Sequence, residues 1–310
     1  MTRAVIFDNR ALLRLAGHEA RSLLQGLITA DLEKLGADRA LYSALLTPQG
    51  KFLFDFVISQ DVGDDALLLE TPAARLADLE RRLMIYRLRA AVTIEAVDPE
   101  PAVAAVFGEA AAEAAGLAAE PGAMRREAGL VFMVDPRLAD LGVRLYGSRA
   151  AIEAWLANRG IGIAEPEAYE RHRVSLAVPE AGVDLVVDKT IMLEAGLDQL
   201  GAVAFDKGCF VGQELTARTR YRGLVKRRLL PVALDGARVE TGSAIMAGER
   251  EAGEIRSVAG DMALAMLRLD RLGEPLAAGG GNVHPRPAAW QTDLRERLAA
   301  GAAEVEADGQ

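Results

Sequence analysis

The chain has 310 residues, of which 51% are hydrophobic, with a formal net charge of −9, three histidines and a single cysteine. This is enough chain for about two domains with sizeable cores. One cysteine excludes an intramolecular disulfide and any all-cysteine metal or cluster site within one chain, and the acidity argues against a nucleic-acid-binding protein.

In chain order, AVIFDNRALLRLAG reads as two short strands around a turn at Asp8-Asn9. HEARSLLQGLITADLEKL then puts Ala20, Leu23, Leu24, Leu27 and Ile28 on one helical face. YSALLTPQGKFLFDFVISQD reads as a hairpin turning at Pro48-Gln49-Gly50. ALLLETP is a further strand, AARLADLERRLMIYRLRA is an amphipathic helix with apolar residues at 76, 79, 83 and 86, and VTIEAV is another strand. This order of strand pair, helix and strand is a split β-α-β unit. The pattern recurs in the strands VAAVFG, GLVFMVD and LGVRLYG and the helix SRAAIEAWLANRG, which ends at Gly160. EPEAYERHRVSLAVPE is a second helix closed by Pro179, and 183–206 is turn-rich. Beyond Gly223, LVKRRLLPVALDG, VETGSAIMAG, REAGEIRSVAG and DMALAMLRLD are short strands separated by glycine turns, as in a small barrel. An extended VHPRPAAW, a short helix and an acidic, mobile tail complete the chain. The fold class is α+β: two split β-α-β units, then a small all-β domain.

Acids and arginines interrupt the apolar N-terminal stretch, which spoils a secretory h-region, and no stretch approaches a membrane span. These features suggest a soluble cytoplasmic protein with no membrane partner. His18, His172 and His284 lack metal-ligand spacing, so no tightly bound metal is expected. No Walker A loop, dinucleotide fingerprint, nucleophile elbow or HExxH motif is present, leaving nucleotide, redox-dinucleotide and serine-hydrolase chemistry without support.

The strongest signal is KGCFVGQELTAR, from Lys207 to Arg218. Gly208 and Gly212 permit a tight path around Cys209, and QELTAR holds good helix formers. Cys209 would then stand just ahead of a helix N-terminus, where the helix-end charge and the Lys207 ammonium favour a thiolate. The alternative is a small apolar filler in a buried turn.

KGCFVGQE resembles the signature of YgfZ-type proteins, folate-binding relatives of the glycine cleavage T protein. LLRLAGHEARSLLQGLITADL, YSALLTPQGKFLFDFVI, HRVSLAVPE, LDQLGAVAFDKGCFVGQELTAR and RYRG resemble further family blocks in the same order, from about Ala4 to Leu272. The resemblance implies two ferredoxin-like subdomains forming a T-protein-like folate-binding region over 1–222 (approximately 1–97 and 98–222, with interleaving left open). A small β-barrel with its tail would follow over 223–310. It implies an accessory protein for assembly or repair of iron–sulfur clusters, including those of radical enzymes that modify tRNA. Its cofactor would be tetrahydrofolate or a derivative, and its partners iron–sulfur client enzymes or cluster carriers. Lys207, Gly208, Cys209, Gly212, Gln213 and Glu214 are the motif residues, with Cys209 and Lys207 in the chemical roles. One thiol cannot hold a cluster, so Cys209 would accept a group, lend one ligand in a shared complex, or attack a folate-borne one-carbon unit.

Departures from the relatives narrow this. Phe54-Asp55 stands where the T protein has an acidic pair whose first acid assists one-carbon transfer. Ser175 aligns with the glutamate that anchors the pterin, and a serine cannot replace both oxygens of a carboxylate. The aromatic folate-pocket positions fall at Arg10 and Tyr169, suited to a carboxylate and to ring stacking. Arg218, Arg220 and Arg222 alternate, which in an extended segment places them on one face toward a folate glutamate tail, a phosphate or an acidic partner. The competing reading is a charged, solvated strand edge. Tyr221 is the lone aromatic among them, which argues against direct nucleic-acid binding. Asp184, Asp188 and Glu194 read as loop and surface residues, and Asp198 and Gln199 as braces of the cysteine loop. Whether the chain is an enzyme stays open between a folate-dependent one-carbon transferase, an accessory protein and a non-catalytic client-docking scaffold.

Overall fold

The computed structural model describes residues 1–61, 66–99 and 101–299, so the acidic tail expected to be mobile lies outside the described residues. The chain forms two compact units. Residues 1–169, 187–189 and 200–217 make the first, and 170–186, 190–199 and the chain from 218 onward make the second.

The first unit contains strands β1 (Arg3–Phe7) and β2 (Arg10–Ala16), helix α1 (Ala20–Gln25), β3 (Leu41–Leu46), β4 (Phe52–Gln60) and β5 (Leu67–Pro72). Helix α2 (Leu76–Arg87), β6 (Thr93–Ala96), β7 (Ala102–Phe107), the single turn α3 (Ala111–Ala114), β8 (Met124–Glu127), β9 (Leu130–Val134), β10 (Val143–Gly147) and α4 (Arg149–Ala157) follow. One sheet has the order β3-β4-β5-β2-β6 and the other β1-β7-β10-β9-β8. The strands around Asp8-Asn9 are therefore not a hairpin: β1 pairs with β7, while β2 pairs with β5 and β6. The first strand belongs to the sheet built mainly from the later segment, so the two sheets interleave in sequence while the remaining strands fall on either side of 97/98.

The hairpin at Pro48-Gln49-Gly50 forms as read, joining β3 to β4, with Gly50 at φ +67°. β4 is buried along nearly its whole length, and Phe54, Phe56 and Ile58 join Leu24, Leu79 and Leu83 in the core under α1 and α2. The helix expected across 18–35 is only α1 and a short 3-10 turn at Leu32–Lys34. Ile28 bridges Leu45 and the Thr29 N–H donates to Ala44 O, so this segment adds to the sheet edge and leaves the helix. A second core joins Val106, Phe132, Leu145 and α4's Ile152 and Leu156.

Within this unit a buried polar network links the two sheets. Glu70 of β5, fully buried, accepts from Arg10 Nε of β2 (2.5 Å), from Arg144 Nη1 of β10 (2.7 Å) and from the Tyr146 hydroxyl (2.7 Å). Arg144 Nε also donates to Asp135 (2.8 Å), which accepts from Arg137 Nε and Nη2 as well. Burial alone pushes the Glu70 carboxyl up, but Arg10 and Arg144 overcome it and hold it at about 2. The Asp135 carboxyl is pulled the same way by Arg137 and Arg144 against its burial. Each charge is compensated, which a dry interior requires.

The chain continues through helices α5 (Pro166–Ser175) and α6 (Gln213–Tyr221) to β11 (Arg227–Asp235), β12 (Ala244–Ala247), β13 (Arg250–Ala259), β14 (Met262–Arg268), β15 (Leu276–Ala278) and β16 (Gly281–Pro285). These six strands, of the second unit, close into a barrel of order β11-β14-β13-β12-β15-β16 around Leu230, Val232, Ile245, Ile255 and Leu267. Leu294, in the helical segment 292–299, joins that core, and the Gln291 side chain donates to Leu229 O (2.8 Å). Two acids read as surface residues are buried here. Asp184 accepts from Arg173 (2.6 Å), itself 1% exposed, and Glu194 pairs with Arg227 (3.1 Å). No helix is long and apolar enough to cross a membrane among the described residues.

Candidate functional site

The cysteine segment lies in the first unit and alternates between anchors and exposed residues. Lys207 is buried, Gly208 and Cys209 are exposed, and Phe210 is buried. The Lys207 ammonium donates to Gln25 O (2.7 Å), Ile28 O (2.9 Å) and Ala30 O (2.7 Å). Those acceptors are the end of α1 and the turn beyond it, where carbonyls lose their helical partners. Three donors meeting three acceptors exhaust the ammonium's capacity. Lys207 therefore anchors the loop, and the expected pairing of its charge with the thiol gives way to this cage. Burial pushes its ammonium down to about 8, with the attraction of Asp31 opposing. Its Nζ also lies 5.5 Å from the centre of the Phe210 ring.

Lys207→Met should cost about 3 kcal/mol, since three carbonyls lose their donor at once. Urea unfolding of the variant checks this, and a loss below about 0.5 kcal/mol, the usual scale for a surface change, would show that the cage is not needed.

On the far side of the cysteine, Gly212 has φ +84°, and a Cβ there would fall 2.6 Å from Thr47 O and 3.1 Å from Gly50 Cα. Only glycine lets the loop pack onto the β3–β4 hairpin this closely. Val211 packs against the helix-side core, and Thr216, in the second turn of α6, donates to Gly212 O (3.0 Å). Cys209 is thus an exposed thiol between fixed points, which settles the two readings of the sequence against the buried filler. Helix α6 starts at Gln213, so three residues separate it from Cys209, and the end charge of a helix fades over its first turn. Gln213 is half-buried there, and Glu214 is exposed where a carboxylate suits the dipole.

Three residues expected to contact a folate, Tyr169, Arg10 and Ser175, have other engagements. Tyr169 is 5% exposed, with its ring edge-on to Phe7 (5.2 Å between centroids) and Phe107 (5.4 Å). Arg10 is committed to Glu70. The exposed Ser175 hydroxyl donates to His172 O (2.7 Å) of its own helix. Phe54, where the T protein places an acid, is 5% exposed under the Arg75 guanidinium, whereas Asp55 accepts from the buried Tyr42 hydroxyl (2.7 Å). The side chains present do not fit a pterin at these positions. Arg218 and Arg220 lie on α6, with Arg222 just past its end, so the expected single face of an extended segment does not exist. At about 100° per residue, Arg218 and Arg220 diverge. Among the described residues no three His, Cys, Asp or Glu side chains gather to hold a metal.

What sequence reading missed is the Glu70–Arg144–Asp135 network. Its signal was a lone charge inside an otherwise apolar strand, as in LLLETP and LGVRLYG.

The family model for the CAF17 C-terminal beta-barrel domain matches residues 226–293, which contain all six barrel strands. Among curated proteins, the chain is 32% identical over 289 residues to the mitochondrial iron–sulfur cluster assembly factor IBA57 of Mus musculus, covering 87% of this chain and 78% of that one. The Homo sapiens protein of the same name is 32% identical over 285 residues with the same coverage. Among solved structures, the glycine cleavage system aminomethyltransferase T of Bartonella henselae superposes with a TM-score of 0.77 at 15% identity, covering 93% of this chain and 85% of that one. That likeness shows the shared fold. The mitochondrial designation of the relatives overturns the cytoplasmic expectation. An interrupted h-region argues only against secretion and says nothing about other compartments.

Proposed function

The chain belongs to the IBA57 family of iron–sulfur cluster assembly factors, and we propose that it works by lending the Cys209 thiolate as one ligand to a cluster shared with a cluster-carrying or client protein. The observation that carries this is the solvent-exposed sulfur of the only cysteine, held between the buried side chains of Lys207 and Phe210. An anchored loop loses little freedom when a partner engages it, so less binding energy goes into ordering it.

A cluster normally takes four protein ligands, and this chain supplies one thiol, so the others come from the partner. Iron binds the thiolate, and the Cys209 proton leaves as the Fe–S bond forms. The step is a ligand exchange: one Fe–thiolate bond on the partner breaks, the Fe–Sγ bond forms, and the displaced thiolate takes up a proton. No oxidation state changes. A folate has no part in this proposal, because Tyr169 and Arg10, two of the side chains expected to hold it, are engaged in ring packing and in the Glu70 ion pair.

The test is anaerobic mixing of the protein with a [2Fe–2S]-loaded monothiol glutaredoxin, followed by visible circular dichroism and gel filtration. The proposal expects a mixed, cluster-containing complex with the wild type and none with Cys209→Ser. An undiminished complex with Cys209→Ala would overturn it.

A further inference from the structure

In the second unit, the chain from Arg218 to Arg227 is exposed or half-exposed at every position. No acidic residue occurs between Leu215 and Leu234, although the protein as a whole carries −9. Arg227 pairs with Glu194, while Arg218, Arg222 and Lys226 have no ion-pair partner among the described residues. Two large apolar side chains stand among these cations, Tyr221 at 76% exposure and Leu224 at 49%. Beside Lys226 lies a cavity of about 380 Å³ lined by Val225, Lys226, Arg268, Leu269, Asp270 and Arg297. It is fixed in place where the Leu269 N–H donates to Lys226 O (2.9 Å).

We propose that this surface docks an acidic segment of a protein partner, with carboxylates on Arg218, Arg222 and Lys226 and an apolar anchor against Tyr221 and Leu224. The proposal rests on the shared-cluster reading, which requires a partner protein, and adds the chemistry of that partner's contact surface. Unpaired cations select negative charge and speed encounter, and exposed aromatic and aliphatic side chains give the contact a desolvated centre. A single-stranded nucleic acid would call for several stacking aromatics, and Tyr221 is alone in the segment. An anionic bilayer would repel the remainder of a chain with this net charge.

The probe is a short fluorescein-labelled peptide repeating Glu-Glu-Leu, titrated into the full-length protein by fluorescence anisotropy, with a Gln-Gln-Leu counterpart. The acidic peptide should bind at least about tenfold more tightly than the neutral one, and Arg218→Glu/Arg222→Glu/Lys226→Glu should weaken it by more than about thirtyfold. Tyr221→Ala/Leu224→Ala should weaken it about tenfold even in high salt, where charge steering is screened. These side chains are exposed, so the variants should melt as the wild type does. Arg3→Glu/Arg89→Glu, which reverses exposed charge in the first unit, should leave the affinity within about twofold. Equal losses in this control and in the triple variant would overturn the proposal, as would patch-dependent binding of oligo-dT or phosphatidylserine vesicles without binding of the peptide. Cys209→Ser should bind the peptide normally. Failure of the peptide titration with intact cluster sharing sinks the docking surface alone, and the converse sinks only the Cys209 mechanism.

Discussion

Glu70→Gln is expected to destabilise the first unit by about 3–5 kcal/mol at neutral pH, the scale for breaking a buried ion pair. The wild-type carboxylate is fully buried and joins Arg10, Arg144 and Tyr146 across the two sheets. A neutral amide of the same shape deprives the buried Arg144 and the half-buried Arg10 of this carboxylate, while Asp135 still pairs with Arg144. Protonation of Glu70 produces the same electrostatic state, which fixes the pH dependence. The folded carboxyl sits at about 2, below its ordinary value of 4.5. Its stabilising contribution is therefore complete above pH 4.5 and is lost as the pH falls toward 2, about 3 kcal/mol in all. Asp135, also lowered, is lost in the same direction.

The stability gap between wild type and Glu70→Gln should thus be widest at neutral pH and close as the solution becomes acidic. Urea unfolding in a Trp290→Phe background reads this directly, because Trp155 of α4 is then the remaining tryptophan and reports on the first unit. A gap that stays constant from neutral pH to pH 2 would contradict the account of the network.

Replacing Cys209 by serine should abolish function while leaving stability within about 0.5 kcal/mol of wild type, as for other exposed positions. In cells lacking the endogenous protein, the activity of iron–sulfur client enzymes with Cys209→Ser should fall to the level of the empty vector. A hydroxyl is a far poorer ligand for iron in a cluster than a thiolate, so serine and alanine should be equally inactive. Lys207→Met should give the opposite pattern: reduced stability, and activity lost only as far as unfolded protein accumulates. Full client activity with Cys209→Ala would end the ligand-sharing mechanism. Matched losses of stability and activity in both variants would reduce Cys209 to a structural role.

The sequence revealed the class of each element better than its neighbours. Glycine and alternation marked the Pro48–Gly50 hairpin and the barrel strands, because those signals are local. Asp8-Asn9 looked like a hairpin turn, yet strand pairing depends on partners as distant as Phe107, which periodicity does not encode. Leu27 and Ile28 fit a helical face, but sheet-edge pairing and the Lys207 cage take the backbone there.

At the site, the polar residues and glycines around Cys209 left an exposed thiol and a buried filler both open, and the structure shows the thiol exposed. The role of Lys207 was not legible, because the carbonyls it binds lie some 180 positions earlier in the chain. The arginines after Arg218 were misplaced for a simpler reason. Alternation suggested a strand, while QELTAR carried enough helix propensity to extend α6 to Tyr221. The folate contacts came from resemblance, and Tyr169 and Arg10 turn out to serve packing and charge balance inside the first unit.

The most direct single measurement is the rate of iodoacetamide alkylation at Cys209 in the native protein, compared with the same chain in urea and read by mass spectrometry. A sulfur standing in solvent between two fixed anchors should react within about tenfold of the unfolded rate, since no opening of the structure is needed to reach it. Protection of about a thousandfold or more would mean that the thiol becomes accessible only when the loop lets go of its anchors, and lending it to a shared cluster would then be ruled out.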